Sequence, residues 1–251
     1  MKIEIPSLTK GKKIYFASDF HLGSPNRNAS LEREKKITRW LDSIKDDAQA
    51  LILVGDLFDF WFEYKYVAPK GFVRFLNKLA EFSESGIKIY IFMGNHDLWF
   101  GDYLPQETGA EILDGPVTFR IENASIYVAH GDGLGKGQNK FKLVKWFFTN
   151  PICQWLFGWL HPDIGFKMAN IWSQSSKKRK NDPDVFHNAL VEYSEVIDLK
   201  THHQYYVYGD CHDTAFVSMK RSAYVNLGEW IAKCSYGVYD GNEFELMTFD
   251  G

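Results

Sequence analysis

The chain has 251 residues, 45% of them apolar and 16% aromatic, enough to bury a sizeable core in one large domain and incompatible with a disordered chain. Its 29 basic and 32 acidic residues leave a formal charge of −3, so nothing in the overall balance attracts nucleic acid, and no nucleic-acid partner is expected. Cys153, Cys211 and Cys234 form no paired pattern, the start Met1-Lys-Ile-Glu-Ile-Pro6 lacks the apolar core of a signal peptide, and no apolar run reaches the roughly 18 residues of a bilayer span; a cytoplasmic protein, peripheral on the inner membrane, is expected.

Residues 13–18 read as a strand ending in Asp19-Phe-His21, two potential metal ligands spaced to point the same way on an extended segment. Ser30 is expected to cap a helix of about four turns, with Glu32 and Glu34 in its first turn and Ile37, Trp40, Leu41 and Ile44 on its inner face. Leu51-Ile-Leu-Val54 is an apolar run of the kind buried on both faces of a sheet, and it leads into Gly55-Asp-Leu-Phe-Asp59. An aspartate after a strand is, by itself, a turn former or a helix cap. An aromatic loop (60–66) follows, then a helix with Phe72, Phe75, Leu76, Leu79 and Phe82 inward, stopped by Gly86. The third strand, 87–93, ends in Gly94-Asn-His-Asp97. Strand and helix alternate as in a mainly parallel sheet, and each strand delivers polar residues at its C-terminal end, where open α/β sheets carry their chemistry.

Segments 117–121 and 125–129 read as a hairpin whose second strand ends in His130-Gly-Asp132. From 133 to about 181 the character changes: Pro151 and Pro162 break the segments, and nine aromatic residues fall within 141–172, marking a helical insertion. Trp146-Phe-Phe148 and Trp155-Leu-Phe-Gly-Trp-Leu160 are apolar nearly all round, which fits either a helical subdomain core or an acyl-binding, membrane-facing surface. Lys177-Lys-Arg-Lys180 beside it is a solvated loop or a contact for lipid headgroups. Asp182-Pro183 starts another helix through Phe186, Leu190, Tyr193 and Ile197. The strand 205–208 ends in Gly209-Asp-Cys-His212, and short β segments at 215–219, 223–226, 237–239 and 244–249 are expected to form a second sheet packed on the first. His161, His187, His202 and His203 match no motif and read as surface or core residues.

Asp-x-His at 19–21, Gly-Asp-x-x-Asp at 55–59, Gly-Asn-His-Asp at 94–97, His-Gly-Asp at 130–132 and Gly-Asp-Cys-His at 209–212 resemble, in order and composition, the calcineurin-like metallophosphoesterases. The resemblance implies an α/β fold, a two-sheet sandwich flanked by helices with two divalent ions at one edge, here a single domain over 1–251 with the insertion at 133–181. It further implies that Asp19, His21 and His212 hold one ion, Asn95 and His130 the other, and that Asp56 bridges them. His96 would act on the phosphate, with Asn95 and Asp97 beside it as catalytic candidates, while Asp59, Asp97 and Asp132 would orient the ligands. Two cations about 3.5 to 4 Å apart neutralise phosphate oxygens and generate hydroxide near neutral pH. Carboxylate, imidazole and amide ligands without thiolate suit Mn²⁺ first, with Fe or Zn²⁺ also compatible.

Within that family, the aromatic insertion and the tail Asn226-Leu-Gly-Glu-Trp230 resemble the lipid A branch, whose members split the pyrophosphate of UDP-2,3-diacylglucosamine. This implies a lipid-linked nucleotide as substrate, a cytoplasmic membrane surface as partner, and Trp146, Trp155, Trp159, Lys136 and Lys140 as candidate substrate contacts. The sequence departs from that branch twice: His96 stands where arginine is usual, and Asp210 replaces a histidine expected to bind the second ion. A soluble phosphodiesterase or nucleotide pyrophosphatase of the same family, and a non-catalytic member with a degraded second metal site, stay open as alternatives.

Overall fold

The computed structural model describes residues 1–135, 145–168 and 183–251. After β1 (Lys2–Ile5) and β2 (Lys13–Ala17), helix and strand alternate through α1 (Arg27–Ile44), β3 (Ala48–Leu53), α2 (Val73–Glu84), β4 (Lys88–Phe92), α3 (Tyr103–Thr108) and β5 (Glu111–Leu113). The strands β2 to β5 are parallel neighbours. Their residues alternate between two apolar layers: Phe16, Ile52, Val54 and Phe92 lie between the sheets, while Ala17, Leu51, Leu53 and Ile91 lie under the helices. Because both faces are covered, the strands carry no polar alternation, and the run at 51–54 reads as continuously apolar.

The rest comprises β6 (Val117–Ile121), β7 (Ala124–Val128), α4 (Pro151–Gly158), α5 (Pro183–Asp198), β8 (Tyr205–Tyr208), β9 (Thr214–Ser218), β10 (Ala223–Leu227), β11 (Ser235–Tyr239) and β12 (Phe244–Thr248). One sheet has the order β12-β11-β2-β3-β4-β5 and the other β1-β6-β7-β8-β10-β9, so the molecule layers helix, sheet, sheet, helix. The expected second sheet is therefore only partly right. β9 and β10 join it, but β11 turns back and pairs antiparallel with β2, taking β12 into the first sheet. Leu227 and Tyr239 both enter the layer between the sheets, so the crossing keeps that layer closed.

The start of α1 also differs from expectation. Asn26, not Ser30, caps it, its side chain accepting from the Ala29 amide at 3.0 Å. Ser30 is buried and accepts instead from the Gly23 amide at 2.7 Å. Glu34 then falls on the buried stripe with Arg33, Ile37, Trp40, Leu41 and Ile44. Its carboxylate accepts from the Arg74 and Phe75 amides at 2.9 and 3.2 Å, capping α2 from outside, where Phe72 at the cap position is left-handed (φ 59°) and offers no acceptor. Asp182, expected to cap α5, lies outside the described residues.

Trp40 packs its fully buried ring against Trp230 at 4.9 Å, Tyr236 at 5.3 Å and Phe20 at 6.4 Å between centroids. Trp40→Ala is expected to destabilise the protein by about 3–5 kcal/mol, through lost burial and the cavity left under α1, as read from the midpoint of urea unfolding at unchanged slope.

Candidate metal centre

Five strand ends meet at one edge of the two sheets. The parallel β2, β3 and β4 deliver Asp19 and His21, Asp56 and Asp59, and Asn95 to Asp97, while β7 and β8 deliver His130 and the 209–212 loop. The backbone there is unusual: Asp19, His21, Asp56, Asp210 and His212 are left-handed, with φ of 56°, 44°, 53°, 63° and 59°. Non-glycine residues in this region cost of order 1–3 kcal/mol each and persist only where their surroundings fix them. The fixing is visible in the amides of Asp19 and His21, which donate to the carbonyls of Gly55 and Asp56 at 3.1 and 2.9 Å, and in Trp230, whose amide donates to the Asp19 carbonyl at 3.1 Å. Asp19 and His21 thus converge through a turn, not through the extended spacing expected from sequence.

Two glycines make room for this. A Cβ on Gly94 would fall on the Asp56 carboxylate, and one on Gly209 would lie 2.7 Å from Asp19 Oδ2. Asn226, in the tail motif, donates to the Gly209 carbonyl at 2.8 Å and holds that loop down.

The side chains form two groups that share Asp56. In one, Asp19, His21, Asp56 and His212 converge: His21 Nε2 is 2.9 Å from His212 Nε2, 3.7 Å from Asp19 Oδ1 and 3.8 Å from Asp56 Oδ2, and His212 Nε2 is 3.2 Å from Asp19 Oδ1. In the other, His130 Nε2 faces Asn95 Oδ1 at 3.3 Å, Asp56 Oδ1 at 3.4 Å and Asp210 Oδ1 at 3.8 Å. The two oxygens of Asp56 therefore face one group each.

The chemistry of these donors fits cations. His130 Nδ1 lies 2.7 Å from the Val54 carbonyl, which can only accept, so Nδ1 carries the proton and the neutral ring turns an Nε2 lone pair toward three oxygens. Lone pairs that converge in this way need a cation or protons between them. Asp19 Oδ1 is buried and makes no hydrogen bond among the described residues. Without a cation, protons would take that place. Burial opposes charge on His130 and His21, but the Asp56 carboxylate holds His130 well above the ordinary imidazole range, and Asp19 and Asp59 push His21 up to about 9. Burial would also raise Asp56, yet the His130 and His96 imidazoles keep it well below the usual carboxylate range. Asp210 is raised to about 7 by burial, against the pull of His130 and with the like charges of Asp132, Asp56 and Asp19 adding to the rise.

The other expected site residues fall around these groups. His96 Nδ1 is 3.0 Å from the Asp59 carbonyl, which leaves Nε2 facing the site 4.0 Å from Asp56 Oδ2, and the His96 amide donates to Asp56 Oδ1 at 2.9 Å. Asp59 Oδ1 lies 3.6 Å from His21 Nδ1, close enough to pair with a charged imidazole but beyond hydrogen-bond distance. Asp97, a catalytic candidate in sequence, is fully buried and turned away: it accepts from the Gly94 and Asp56 amides on one oxygen (2.8 and 3.3 Å) and from Leu57 and Phe58 on the other (2.7 and 3.3 Å), stapling two loops together. Asp132, expected to orient a ligand, instead pairs with Lys145 of the segment 145–168 at 2.6 Å. His187, His202 and His203 bond to Tyr224, Asp198 and Ser125, away from both groups.

Of the candidate substrate contacts, Lys136 and Lys140 lie outside the described residues, as does the basic run 177–180. Trp146, Trp155 and Trp159 point outward, at 61%, 61% and 75% exposure. The insertion is anchored by other aromatics. Phe157 packs on Phe62 and Trp99, both at 4.8 Å, Phe166 packs on Phe60 at 5.1 Å, and Trp99 Nε1 donates to the Phe148 carbonyl at 2.6 Å. Phe60, Phe62 and Trp99 belong to the loops that follow Asp59 and Asp97, so the described segment 145–168 rests on the walls of the centre. Sequence reasoning missed this dock, for which the signal was the aromatic density at 60–66, and missed Lys145; Asn226 and Trp230 stand in the tail motif it noted, but not as supports of the centre.

A family model of calcineurin-like phosphoesterases matches residues 12–221. A UDP-2,3-diacylglucosamine hydrolase of Porphyromonas gingivalis is 34% identical over 258 residues, covering 95% of this chain and 98% of that protein. A hydrolase of the same name from Shewanella putrefaciens is 25% identical, covering 87% of this chain and 89% of its own length, and one from another Shewanella species is 25% identical, covering 95% and 99%. The matched span contains all five loops that build the two groups, and the chain belongs to the calcineurin-like phosphoesterase family, as a metal-dependent phosphoester hydrolase.

Proposed function

We propose that the chain cleaves the pyrophosphate of UDP-2,3-diacylglucosamine to the diacylated sugar 1-phosphate and UMP, the lipid A reaction, with two divalent ions, Mn²⁺ before Fe or Zn²⁺. The observation that carries this is the near full-length relation, 34% identical over 95% of the chain, to a relative so named. In this reading Asp19, His21 and His212 hold one ion, Asn95, His130 and Asp210 the other, and Asp56 bridges, which the sharing of its two oxygens supports. Two such ions would supply the positive charge that a diphosphate needs and would activate water near neutral pH. His96 keeps Nδ1 on the Asp59 carbonyl and presents Nε2, and burial lowers its pKa, so a neutral imidazole meets the phosphate and can take up or give a proton there. Asp97 holds the loops of Asp56 and Asn95 at fixed separation.

The segment 133–181 is then an insertion in a single domain, 1–251, that receives the acyl chains. The exposed face of Trp146, Trp155 and Trp159 supports contact with a cytoplasmic membrane surface, as does the basic run Lys177 to Lys180 later in the sequence, which is of the right sign for anionic lipid. No helix among the described residues is long and apolar enough to cross a membrane. A second reading, a phosphodiesterase of soluble substrates, is favoured by His96 itself, which resembles phosphoesterases generally.

Three measurements test these statements. With Mn²⁺ present, turnover of the lipid nucleotide is expected to exceed that of a chromogenic phosphodiester by orders of magnitude, and replacing Trp155 and Trp159 together by Ser is expected to raise KM for the lipid alone; equal rates on both substrates would favour the second reading. Asp56→Ala is expected to lower kcat at least about 100-fold while the far-ultraviolet circular dichroism stays unchanged, since losing one ligand touches both ions. The third measurement concerns protons. His21, raised to about 9 in the bare site, is cationic at pH 7 and must lose its proton to ligate, as must His130. Metal uptake at pH 7 is therefore expected to release protons, seen as different calorimetric heats in buffers of different ionisation enthalpy, and affinity is expected to rise from pH 7 to about 9. Heats and affinities independent of buffer and pH would mean that these rings are not ligands.

A further inference from the structure

We propose that Arg33 is a positioning residue for one of the two metal groups: its buried guanidinium donates to the backbone carbonyls of Phe20, His21 and Ser24, holds His21 in its left-handed conformation, and so sets the affinity of the Asp19, His21 and His212 group for a divalent cation without touching the ion. The inference rests on the metal reading above.

Arg33 lies on the buried stripe of α1 and is 7% exposed. Its Nη1 donates to the Phe20 carbonyl at 2.9 Å and to the His21 carbonyl at 2.7 Å, and its Nη2 donates to the Ser24 carbonyl at 2.7 Å. One turn earlier on the same face, Ser30 accepts from the Gly23 amide. α1 thus grips the 20–24 loop through three acceptors and one donor.

That grip answers a local need. With φ of 56° at Asp19, 44° at His21 and 109° at Gly23, this loop leaves Leu22 bonded to residues 57 and 59 and turns the Phe20, His21 and Ser24 carbonyls toward α1, where the His21 carbonyl has one further donor, the Ser24 amide at 3.2 Å. A buried carbonyl left without a donor costs about 1–3 kcal/mol, enough to flip a strained peptide into another conformation. The planar guanidinium meets these three acceptors from two nitrogens held in a fixed fork, and a lysine ammonium, with its three donors on one nitrogen at the end of a flexible stem, does not reproduce that spread. Burial lowers the Arg33 pKa while the carboxylates of Glu229 and Asp59 counter it, and the guanidinium stays charged, which strengthens each of these bonds. The part of the loop that matters chemically is the His21 ring. Its Nε2 stands 2.9 Å from His212 Nε2, and if the His21 carbonyl were released, that meeting would be lost. The second group, His130, Asn95 and Asp210, comes from β4, β7 and β8 and has no bond to Arg33 among the described residues.

The test uses the full-length chain with Arg33→Lys and Arg33→Met, scored by Mn²⁺ binding isotherms from the electron paramagnetic resonance signal of free ion, together with melting temperature and circular dichroism. In the wild type two ions bind. In the folded variants one ion is expected to keep its affinity and the other to weaken about 10–100-fold, less in Lys than in Met, with activity recovering at high Mn²⁺. Two ions bound at wild-type affinity in a folded variant, with only the melting temperature lowered, would overturn the inference, as would equal weakening at both sites. If Arg33→Met does not fold, the Arg33→Lys isotherm decides by the same criteria. A wild type that binds no Mn²⁺ overturns the metal reading and this inference with it.

Discussion

The site depends on one carboxylate seen from two sides. Asp56 can face His21 with one oxygen and His130 with the other only because its strand end is turned left-handed, its neighbour across the sheet is Gly94, and the Asp97 carboxylate pins the amides of residues 56–58 from behind. Each of these conditions is a matter of backbone, not of ligand chemistry. The parallel sheet brings the strand ends together, but a regular strand end would spread its side chains to alternate faces. The strained turns gather them on one side, and the cost is borne by the hydrogen bonds that lock the turns and by the apolar layers that lock the strands.

Residue type and backbone conformation reinforce each other here. Asp and His are, with Asn, the non-glycine residues most enriched in the left-handed region, and all five left-handed residues of the centre are Asp or His. The side chains that can ligate are thus also those that tolerate the required turn. This is why short motifs such as Asp-x-His carry so much information: the same two positions specify the donors and the geometry that presents them.

Much of the fold was therefore legible. The continuous apolar strands, the helical stripe of α1 and the five polar strand ends could be read because each follows one local rule. What was not legible depends on distant pairing. Nothing local to 235–239 shows that it pairs with β2 and not with β10. Asp97 reads like its neighbours in a ligand motif, and only the four amides around it show that it faces backward. Arg33 and Glu34 did give a signal. They occupy the stripe of Ser30, Ile37, Trp40, Leu41 and Ile44, where an ordinary surface helix has no charge, and two charges there require partners. One partner proved to be the start of α2 and the other the loop of His21.

Asp210 brings these considerations together. It is left-handed like Asp19, His21, Asp56 and His212, its amide donates to Asp19 Oδ2 at 3.1 Å, and its carboxylate lies 3.8 Å from His130 Nε2. It thus links the two groups through its backbone and enters one of them through its side chain, so an exchange of histidine for aspartate keeps the turn and changes the charge. Two divalent ions with Asp19 and Asp56 would leave a formal charge of +2, which Asp210 would reduce to +1. A less positive centre attracts a diphosphate less and activates water less, yet a carboxylate is the better ligand for a hard ion. The loops, glycines and staples around position 210 are all in place, so the departure there exchanges an imidazole for a harder, charged oxygen within an intact frame and is not by itself a mark of decay.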